Sequence, residues 1–175
     1  MLLGVMSDTH DDVESIEVAL EIMARAGVDM VIHLGDLVSP FSLKPIVDSG
    51  IPCVLLAGNN EGEFKVAVDA LNSDITFYPG PIELELAGRQ VLLMHGFGPT
   101  GLTKRVAELL AASGAYDVVM YGHTHELDLR RVRGAILLNP GEACGVLTGR
   151  KTVALLDLSE MSVDVIRLDV EEEKV

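Results

Sequence analysis

Short apolar runs alternate with helical patterns along the first 60 residues of this 175-residue chain. The apolar runs cover residues 2–6, 30–34 and 52–57, and apolar side chains recur at helical spacing over 13–26 and, more briefly, over 41–48. Runs this short and apolar are typical of strands buried on both faces of a parallel sheet. Parallel neighbours need crossover connections, which are right-handed, so the pattern predicts an α/β fold.

The period of the pattern changes in the second half of the chain. Residues 82–86 alternate strictly between apolar and acidic side chains, and Gly88-Arg89 predicts a hairpin turn into a strand over 91–94. Further helices are predicted over 63–71 and 102–112, and further strands over 117–121, 127–132, 135–138, 145–147, 152–158 and 162–168. Two packed sheets with helices outside them fit this pattern better than one open sheet. No repeat or composition break divides the chain, so we expect a single domain over 1–175 with an acidic tail from about 171.

Composition limits the class of protein. With 49% hydrophobic residues the chain can form a core without a disulfide, and we interpret Cys53 and Cys144 as buried small hydrophobes. The net charge of −14, from 27 acidic and 13 basic residues, disfavours long nucleic acid as a partner. No apolar stretch has the length of a membrane span or of a signal-peptide core, so we predict no membrane association and a cytoplasmic location.

Polar residues with metal-binding side chains follow five of the predicted strands. They lie in Asp8-Thr9-His10, Gly35-Asp36, Gly58-Asn59-Asn60-Glu61, Met94-His95-Gly96 and Gly122-His123-Thr124-His125. Ligands of α/β sheets bind beyond the carboxyl ends of the strands, where such loops converge. The i, i+2 spacing of the two aspartate or histidine pairs would point both side chains to one side of an extended segment. Imidazole, carboxylate and amide groups bind metals, so the pattern predicts a two-metal hydrolytic site.

Each segment also has a structural interpretation when it is taken alone. Asp8 could cap the following helix, Gly35-Asp36 is an ordinary turn dipeptide, and His95 could be a satisfied histidine at a strand end. Their joint occurrence after five predicted strands favours the metal site. His33 lies inside a predicted strand, and we interpret it as structural.

The five segments, in this order, resemble the motif set of the calcineurin-like metallophosphoesterases. The opening Met-x-x-Gly-Val-Met-Ser-Asp-Thr-His and the later Asn139-Pro140-Gly141 resemble the small prokaryotic phosphodiesterase branch of that superfamily. The resemblance spans residues 1 to about 142. It implies a four-layer α/β/β/α sandwich with two mixed sheets, and a phosphodiesterase that acts on small phosphodiesters through a hydroxide held at a binuclear metal centre.

The resemblance also implies which residues bind the two metal ions. One ion would be held by Asp8, His10, Asp36 and His125. The second would be held by Asp36, Asn59, His95 and His123, with Asp36 bridging. This mixture of imidazole, carboxylate and amide donors suits transition metals better than magnesium or calcium. The resemblance favours two Mn²⁺ or Ni²⁺ ions, with Zn²⁺ or Fe²⁺ as alternatives.

Three residues depart from the family pattern. Asn60 lies where the wider superfamily has a histidine thought to assist the leaving group. A carboxamide can donate a hydrogen bond there but cannot deliver a proton, so we expect a preference for good leaving groups. Glu142, where the family usually has serine, and Glu126, where it often has proline, are expected to add negative charge near the mouth of the site. That charge would disfavour multiply charged monoesters.

Two other interpretations stay open at this point. A subunit of the eukaryotic retromer with the same fold serves chiefly as a binding scaffold, although the seven filled ligand positions favour an enzyme here. A mononuclear structural metal site is also conceivable, but neither cysteine lies in the motif set. Exposed hairpin edges and the apolar residues Phe41, Phe64 and Phe97, expected in loops, predict a homodimer.

Overall fold

A computed structural model describes residues 1–169, in which the chain forms four helices and eleven strands. The helices are α1 (Val13–Ala26), α2 (Pro40–Ser49), α3 (Phe64–Leu71) and α4 (Thr100–Ala112). The strands are β1 (Leu2–Met6), β2 (Met30–His33), β3 (Cys53–Leu56), β4 (Ile75–Tyr78), β5 (Ile82–Leu86), β6 (Arg89–Met94), β7 (Val118–Tyr121), β8 (Asp128–Val132), β9 (Ala135–Asn139), β10 (Thr152–Asp157) and β11 (Ser162–Arg167). The acidic tail predicted from about 171 lies outside the described residues.

The strands form two mixed sheets. The first has six strands in the order β11-β10-β1-β2-β3-β4, in which β1 to β4 are mutually parallel, β10 is antiparallel to β1, and β11 is antiparallel to β10. The second has five strands in the order β5-β6-β7-β9-β8, in which β6, β7 and β9 are parallel. The parallel strands of both sheets therefore supply the loops in which the predicted ligands lie.

The two sheets pack face to face, with helices on both outer faces. Residues such as Val5 and Ile32 of the first sheet and Leu93 and Met120 of the second form the buried core between the sheets. Helices α1, α2 and α3 cover the outer face of the first sheet, and α4 covers that of the second. This arrangement confirms the predicted four-layer α/β/β/α sandwich.

Helix α1 illustrates how local sequence produces this packing. Its apolar side chains at i, i+3, i+4 and i+7, from Ile16 to Met23, are buried against the first sheet. The Asp12 carboxylate caps the helix by accepting a hydrogen bond from the Ser15 amide, and the helix ends at Gly27 with a φ of +72°. The capping role considered for Asp8 therefore belongs to Asp12.

Two predictions of local structure were wrong, and one strand was missed. Residues 145–147 were predicted as a strand but form turns. Phe41 and Phe64 lie in α2 and α3, in agreement with the helical patterns over 41–48 and 63–71, and not in loops. Strand β4 was not predicted, because four residues with one buried side chain give a weak pattern. Cys53 and Cys144 are buried and free, as expected.

None of the helices within residues 1–169 combines the length and the apolar character that a bilayer span requires.

Candidate metal centre

All seven predicted ligands meet at one edge of the sandwich. The Asp8/His10 pair, Asp36 and Asn59 follow β1, β2 and β3 of the first sheet, while His95 and the His123/His125 pair follow β6 and β7 of the second. Because these strands are parallel to their neighbours, their carboxyl ends lie together where the sheets face each other. The structure thus brings together every side chain that the sequence proposed as a ligand.

Four of these side chains form what we call the first ligand group: Asp8, His10, Asp36 and His125. One ligand atom from each lies within 4.8 Å of the others. The Nε2 atoms of His10 and His125 are 3.3 Å apart. His10 Nε2 is 3.5 Å from Asp36 Oδ2, and His125 Nε2 is 3.5 Å from Asp8 Oδ1. Imidazole nitrogens and carboxylate oxygens therefore converge on one small volume.

The second ligand group consists of Asp36, Asn59, His95 and His123. The Asn59 Oδ1 atom lies 3.0 Å from His95 Nε2 and 2.6 Å from His123 Nδ1. His95 Nε2 is also 3.4 Å from Asp36 Oδ1. Asp36 therefore directs Oδ1 towards the second ligand group and Oδ2 towards the first, an arrangement suited to a bridging carboxylate.

The other ring nitrogen of three histidines is held by an acceptor. His95 Nδ1 donates to the Leu34 carbonyl over 2.8 Å, His123 Nε2 donates to the Gly98 carbonyl over 2.8 Å, and His125 Nδ1 donates to Glu142 over 2.7 Å. Since these acceptors need the ring proton, the opposite nitrogen of a neutral ring carries a free lone pair. That nitrogen faces the ligand group in each case, as in many metal-binding histidines.

Five of the seven predicted ligands adopt a left-handed backbone conformation. Their φ values are +52° for Asp8, +43° for His10, +58° for Asp36, +67° for His123 and +61° for His125. The extended geometry predicted for the i, i+2 pairs is therefore wrong, because tight turns bring both side chains of each pair to the site. Residues other than glycine rarely adopt positive φ values, because the conformation is strained. Backbone strain of this kind concentrates at functional sites.

Two glycines allow the loops to approach the ligands closely. A Cβ atom at Gly58 would lie 2.1 Å from Asp36 Oδ1, and one at Gly122 would lie 2.2 Å from Ser7 Oγ. Both distances are shorter than any atomic contact permits, so a side chain at either position would displace the ligand loops. The glycines of the Gly58-Asn59 and Gly122-His123 segments thus have a steric role.

The two carboxylates of the first ligand group are almost inaccessible. Asp8 is 0% exposed: its Oδ2 accepts hydrogen bonds from Ser7 Oγ and the His123 amide, whereas its Oδ1 has no hydrogen-bond partner among residues 1–169. Burial raises the pKa of Asp8. Burial also opposes ionisation of Asp36, but its hydrogen bonds with His95 and Asn60 hold the pKa of Asp36 below its ordinary value. A buried, unpaired oxygen among imidazole nitrogens fits a divalent cation.

Glu61 supports both groups, a role that the sequence did not reveal. Its carboxylate accepts hydrogen bonds from the amides of Leu37 at 2.8 Å, Gly58 at 2.8 Å and Asp36 at 3.2 Å. These bonds tie the loop of Asp36 to the loop of Asn59. The only sequence signal was a carboxylate three residues after Gly58. Burial raises the pKa of Glu61.

His33 supports the first ligand group and is structural, as predicted. Its Nδ1 accepts a hydrogen bond from the Gly35 amide at 3.2 Å, and its Nε2 lies 3.1 Å from Thr9 Oγ1. The neutral ring thus links the loop of Asp8 and His10 to the loop of Asp36. Burial lowers the pKa of His33 to about 3.

Glu142 does not add charge at the mouth of the site, which corrects the expectation from the sequence. It is 0% exposed, and its carboxylate is enclosed by hydrogen-bond donors from His125, Leu147 and Thr148. Burial raises the pKa of Glu142, but these hydrogen bonds outweigh it and lower the pKa to about 2. Glu126 is exposed as expected, and it forms an ion pair with Lys104 at 2.6 Å.

Asn60 contacts the carboxylate shared by the two groups. Its backbone amide donates to Asp36 Oδ1 over 2.7 Å, and its side-chain Nδ2 donates to Asp36 Oδ2 over 2.8 Å. The residue is exposed at the edge of the site. A cleft of about 370 Å³, lined in part by Thr148 and Arg150, opens beside His125. The cleft therefore reaches one predicted metal ligand, His125.

Comparison with known proteins identifies related sequences and structures. The family model of the calcineurin-like phosphoesterase superfamily domain matches residues 1–161. A phosphodiesterase of Methanocaldococcus jannaschii is 36% identical over 172 residues, covering 97% of this chain and 100% of that protein. A phosphodiesterase of Escherichia coli is 31% identical over 153 residues, covering 81% of this chain and 78% of that protein.

Solved structures show the same relationship. The structure of an archaeal phosphodiesterase superimposes with a TM-score of 0.84 at 35% identity, covering 95% of this chain and 99% of that chain. A double mutant of Vps29 from Entamoeba histolytica superimposes with a TM-score of 0.70 at 19% identity, covering 98% of this chain and 100% of that chain. The second likeness is one of fold alone.

Proposed function

The chain belongs to the calcineurin-like phosphoesterase superfamily, and we propose that within it this protein is a metal-dependent phosphodiesterase that hydrolyses small phosphodiesters. The observation that carries the proposal is the position of Asp36, whose two oxygens face different ligand groups. The names of the relatives above 30% identity support the phosphodiester as substrate.

We propose that the two ligand groups bind two divalent ions. We assign Asp8, His10, Asp36 and His125 to one ion and Asp36, Asn59, His95 and His123 to the other. Two divalent ions bound there would lower the pKa of a water molecule and neutralise charge on the phosphoryl oxygens. The donor set favours Mn²⁺ or Ni²⁺, with Zn²⁺ or Fe²⁺ as alternatives. Glu61 and His33 hold the loops so that the ligand atoms need little reorganisation.

The first test is hydrolysis of bis(p-nitrophenyl) phosphate with added Mn²⁺, Ni²⁺, Mg²⁺ or Zn²⁺, before and after chelation. We expect activity that chelation abolishes and that falls by about 100-fold or more in His123→Ala, because the second ligand group loses a donor. Metal analysis should find about two ions per chain. Chelator-insensitive turnover, or full activity in the variant, would refute the proposal.

Asn60 is the residue that we propose to contact the leaving group. Its Nδ2 already donates one hydrogen to Asp36, which leaves one for a substrate oxygen. A carboxamide has no proton to transfer near neutral pH, so the leaving group must depart largely unassisted.

We therefore expect aryl diesters to react much faster than alkyl diesters. In a series of leaving groups of rising pKa, kcat should fall steeply, since the developing charge is not quenched by a proton. The measurement is the Brønsted slope for the unmodified protein beside Asn60→His, which adds a titrating group and should flatten the slope. Equal rates for aryl and alkyl diesters in the unmodified protein would contradict the assignment of Asn60.

Two alternative functions are less well supported. A non-catalytic scaffold of the same fold is not favoured, because the relatives above 30% identity are named as phosphodiesterases and the Vps29 neighbour is distant. A mononuclear structural site would bind one ion tightly without hydrolysis, which the metal analysis distinguishes.

The cellular location, the partners and the oligomeric state of the protein are also proposals. We propose that it works in the cytoplasm without long nucleic acid or membrane as a partner, in keeping with its net charge of −14. The exposed side chains of Phe41, Leu71 and Phe97 support a homodimer, which sedimentation would detect.

A further inference from the structure

Glu142 contacts both the main chain and the ring of one predicted metal ligand, His125. Its backbone amide donates to the His125 carbonyl over 3.2 Å, and its Oε2 accepts from His125 Nδ1 over 2.7 Å. His125 is therefore held at its main chain and at its ring by the same residue. His125 also adopts a φ of +61°, a conformation that needs such support to persist.

The other side of the same carboxylate holds a surface turn. Its Oε1 accepts hydrogen bonds from the Leu147 amide at 2.9 Å, from the Thr148 amide and from Thr148 Oγ1 at 2.7 Å. Leu147 and Thr148 belong to the exposed turn that follows Cys144, and Thr148 lines the cleft beside His125. One buried carboxylate therefore connects the ligand to the wall of the cleft.

From these contacts we propose that Glu142 is a positioning residue that fixes the ring of His125 for metal binding and couples it to the turn at 145–149. The inference rests on the metal-binding role proposed above for His125. A carboxylate at Nδ1 keeps the ring proton there, so Nε2 retains its lone pair and faces Asp8 Oδ1 and His10 Nε2. Carboxylates paired with metal-binding histidines act in this way and raise the basicity of the ligand.

The substitution Glu142→Gln tests this role most directly, because both carboxylate oxygens of Glu142 accept hydrogen bonds. A carboxamide has the same shape but one acceptor oxygen, so it can accept from either His125 or Thr148, whereas the Leu147 amide lies within 3.1 Å of both oxygens. The matched control is Glu126→Gln, which removes the same charge one residue from His125. Glu126 pairs with Lys104 and makes no hydrogen bond to His125.

We expect Glu142→Gln to lower the affinity for Mn²⁺ by about 10- to 100-fold in titration calorimetry. We also expect amide exchange at Thr148, whose amide contacts Oε1 alone, to accelerate by about tenfold, which corresponds to one lost hydrogen bond. Glu126→Gln should change neither quantity by more than about threefold, since exposed charges act weakly.

A spectroscopic measurement separates positioning from a merely structural role. Nitrogen NMR of the unmodified, metal-free protein should find the His125 proton on Nδ1, and Glu142→Gln should populate the other tautomer. This measurement needs no variant to fold, because a proton on Nε2 in the unmodified protein would by itself overturn the inference.

The remaining outcomes separate this inference from the proposed function. Unchanged Mn²⁺ affinity in a folded Glu142→Gln protein, or an equal loss in Glu126→Gln, would refute the role of Glu142 and leave the metal site standing. Failure of the unmodified protein to bind Mn²⁺ or any other divalent ion would instead refute the proposed function.

Discussion

The two ligand groups differ in charge and in exposure although they share Asp36. The first group contains two carboxylates, Asp8 and Asp36, which are 0% and 1% exposed. The second contains only the shared carboxylate, and its Asn59 lies exposed at the rim. A buried pair of anions attracts a cation more strongly than one anion beside a neutral amide. We therefore expect one tightly held ion and one that exchanges readily.

The surroundings of the two groups reinforce this difference. The first group is supported by His33, which is fully buried and hydrogen-bonded to the loop of Asp8 and His10 and to the loop of Asp36. The exposed part of the second group depends on the contacts of Asn59 with two imidazoles. We therefore expect the first group to hold its metal ion tightly and the second group to exchange its ion with solvent.

Replacing Asn59 tests directly whether the two ions bind with different affinities, and we expect it to have the largest effect of the changes considered. Asn59→Ala should weaken the more weakly bound Mn²⁺ ion by about 100-fold or more and leave the tighter ion within about threefold, because only the second group loses a ligand. Asn59→Asp adds a carboxylate and should bring the two affinities closer together. Titration calorimetry measures both steps. A loss of both ions together in Asn59→Ala would show that the groups are not separable.

Acid pH tests the buried support of the first group. The folded pKa of His33 is about 3, below its ordinary value of 6.5, so the unfolded chain binds the extra proton first as the pH falls. Stability from the neutral ring is complete above about pH 6.5 and is lost progressively down to about pH 3. At pH 5 the loss amounts to about 2 kcal/mol.

The measurement is the free energy of unfolding in urea at pH 7.5 and pH 5, on metal-free protein, beside His33→Asn. The asparagine does not titrate, so the variant should lose about 2 kcal/mol less over this interval. Groups that do not interact with His33 titrate equally in both proteins and cancel in the difference. Identical pH dependence would mean that the ring is not held neutral.

The location of the site could be predicted from the sequence, whereas its support could not. Asp8, Asp36 and His95 each follow an apolar run, and parallel strands bring such positions to one edge whatever the loops do. The roles of Glu61 and Glu142 depend on the paths of loops that contain no periodic pattern. The extended geometry expected for His123 and His125 failed for the same reason, because alternation describes strands and not the turns that follow them.

The left-handed conformation of five ligands has a consequence for the order in which the molecule folds. Each such residue costs roughly 1 kcal/mol in an isolated loop, and five together approach the net stability of a small domain. These turns cannot persist before the partners that hold them are in place, and those partners come from both sheets. Asp8, for example, accepts a hydrogen bond from the amide of His123, 115 residues away. We therefore expect the sheets to assemble first and the ligand loops to take their final shape last. Pulsed amide exchange during refolding would then show protection of the strand amides before that of the loop amides.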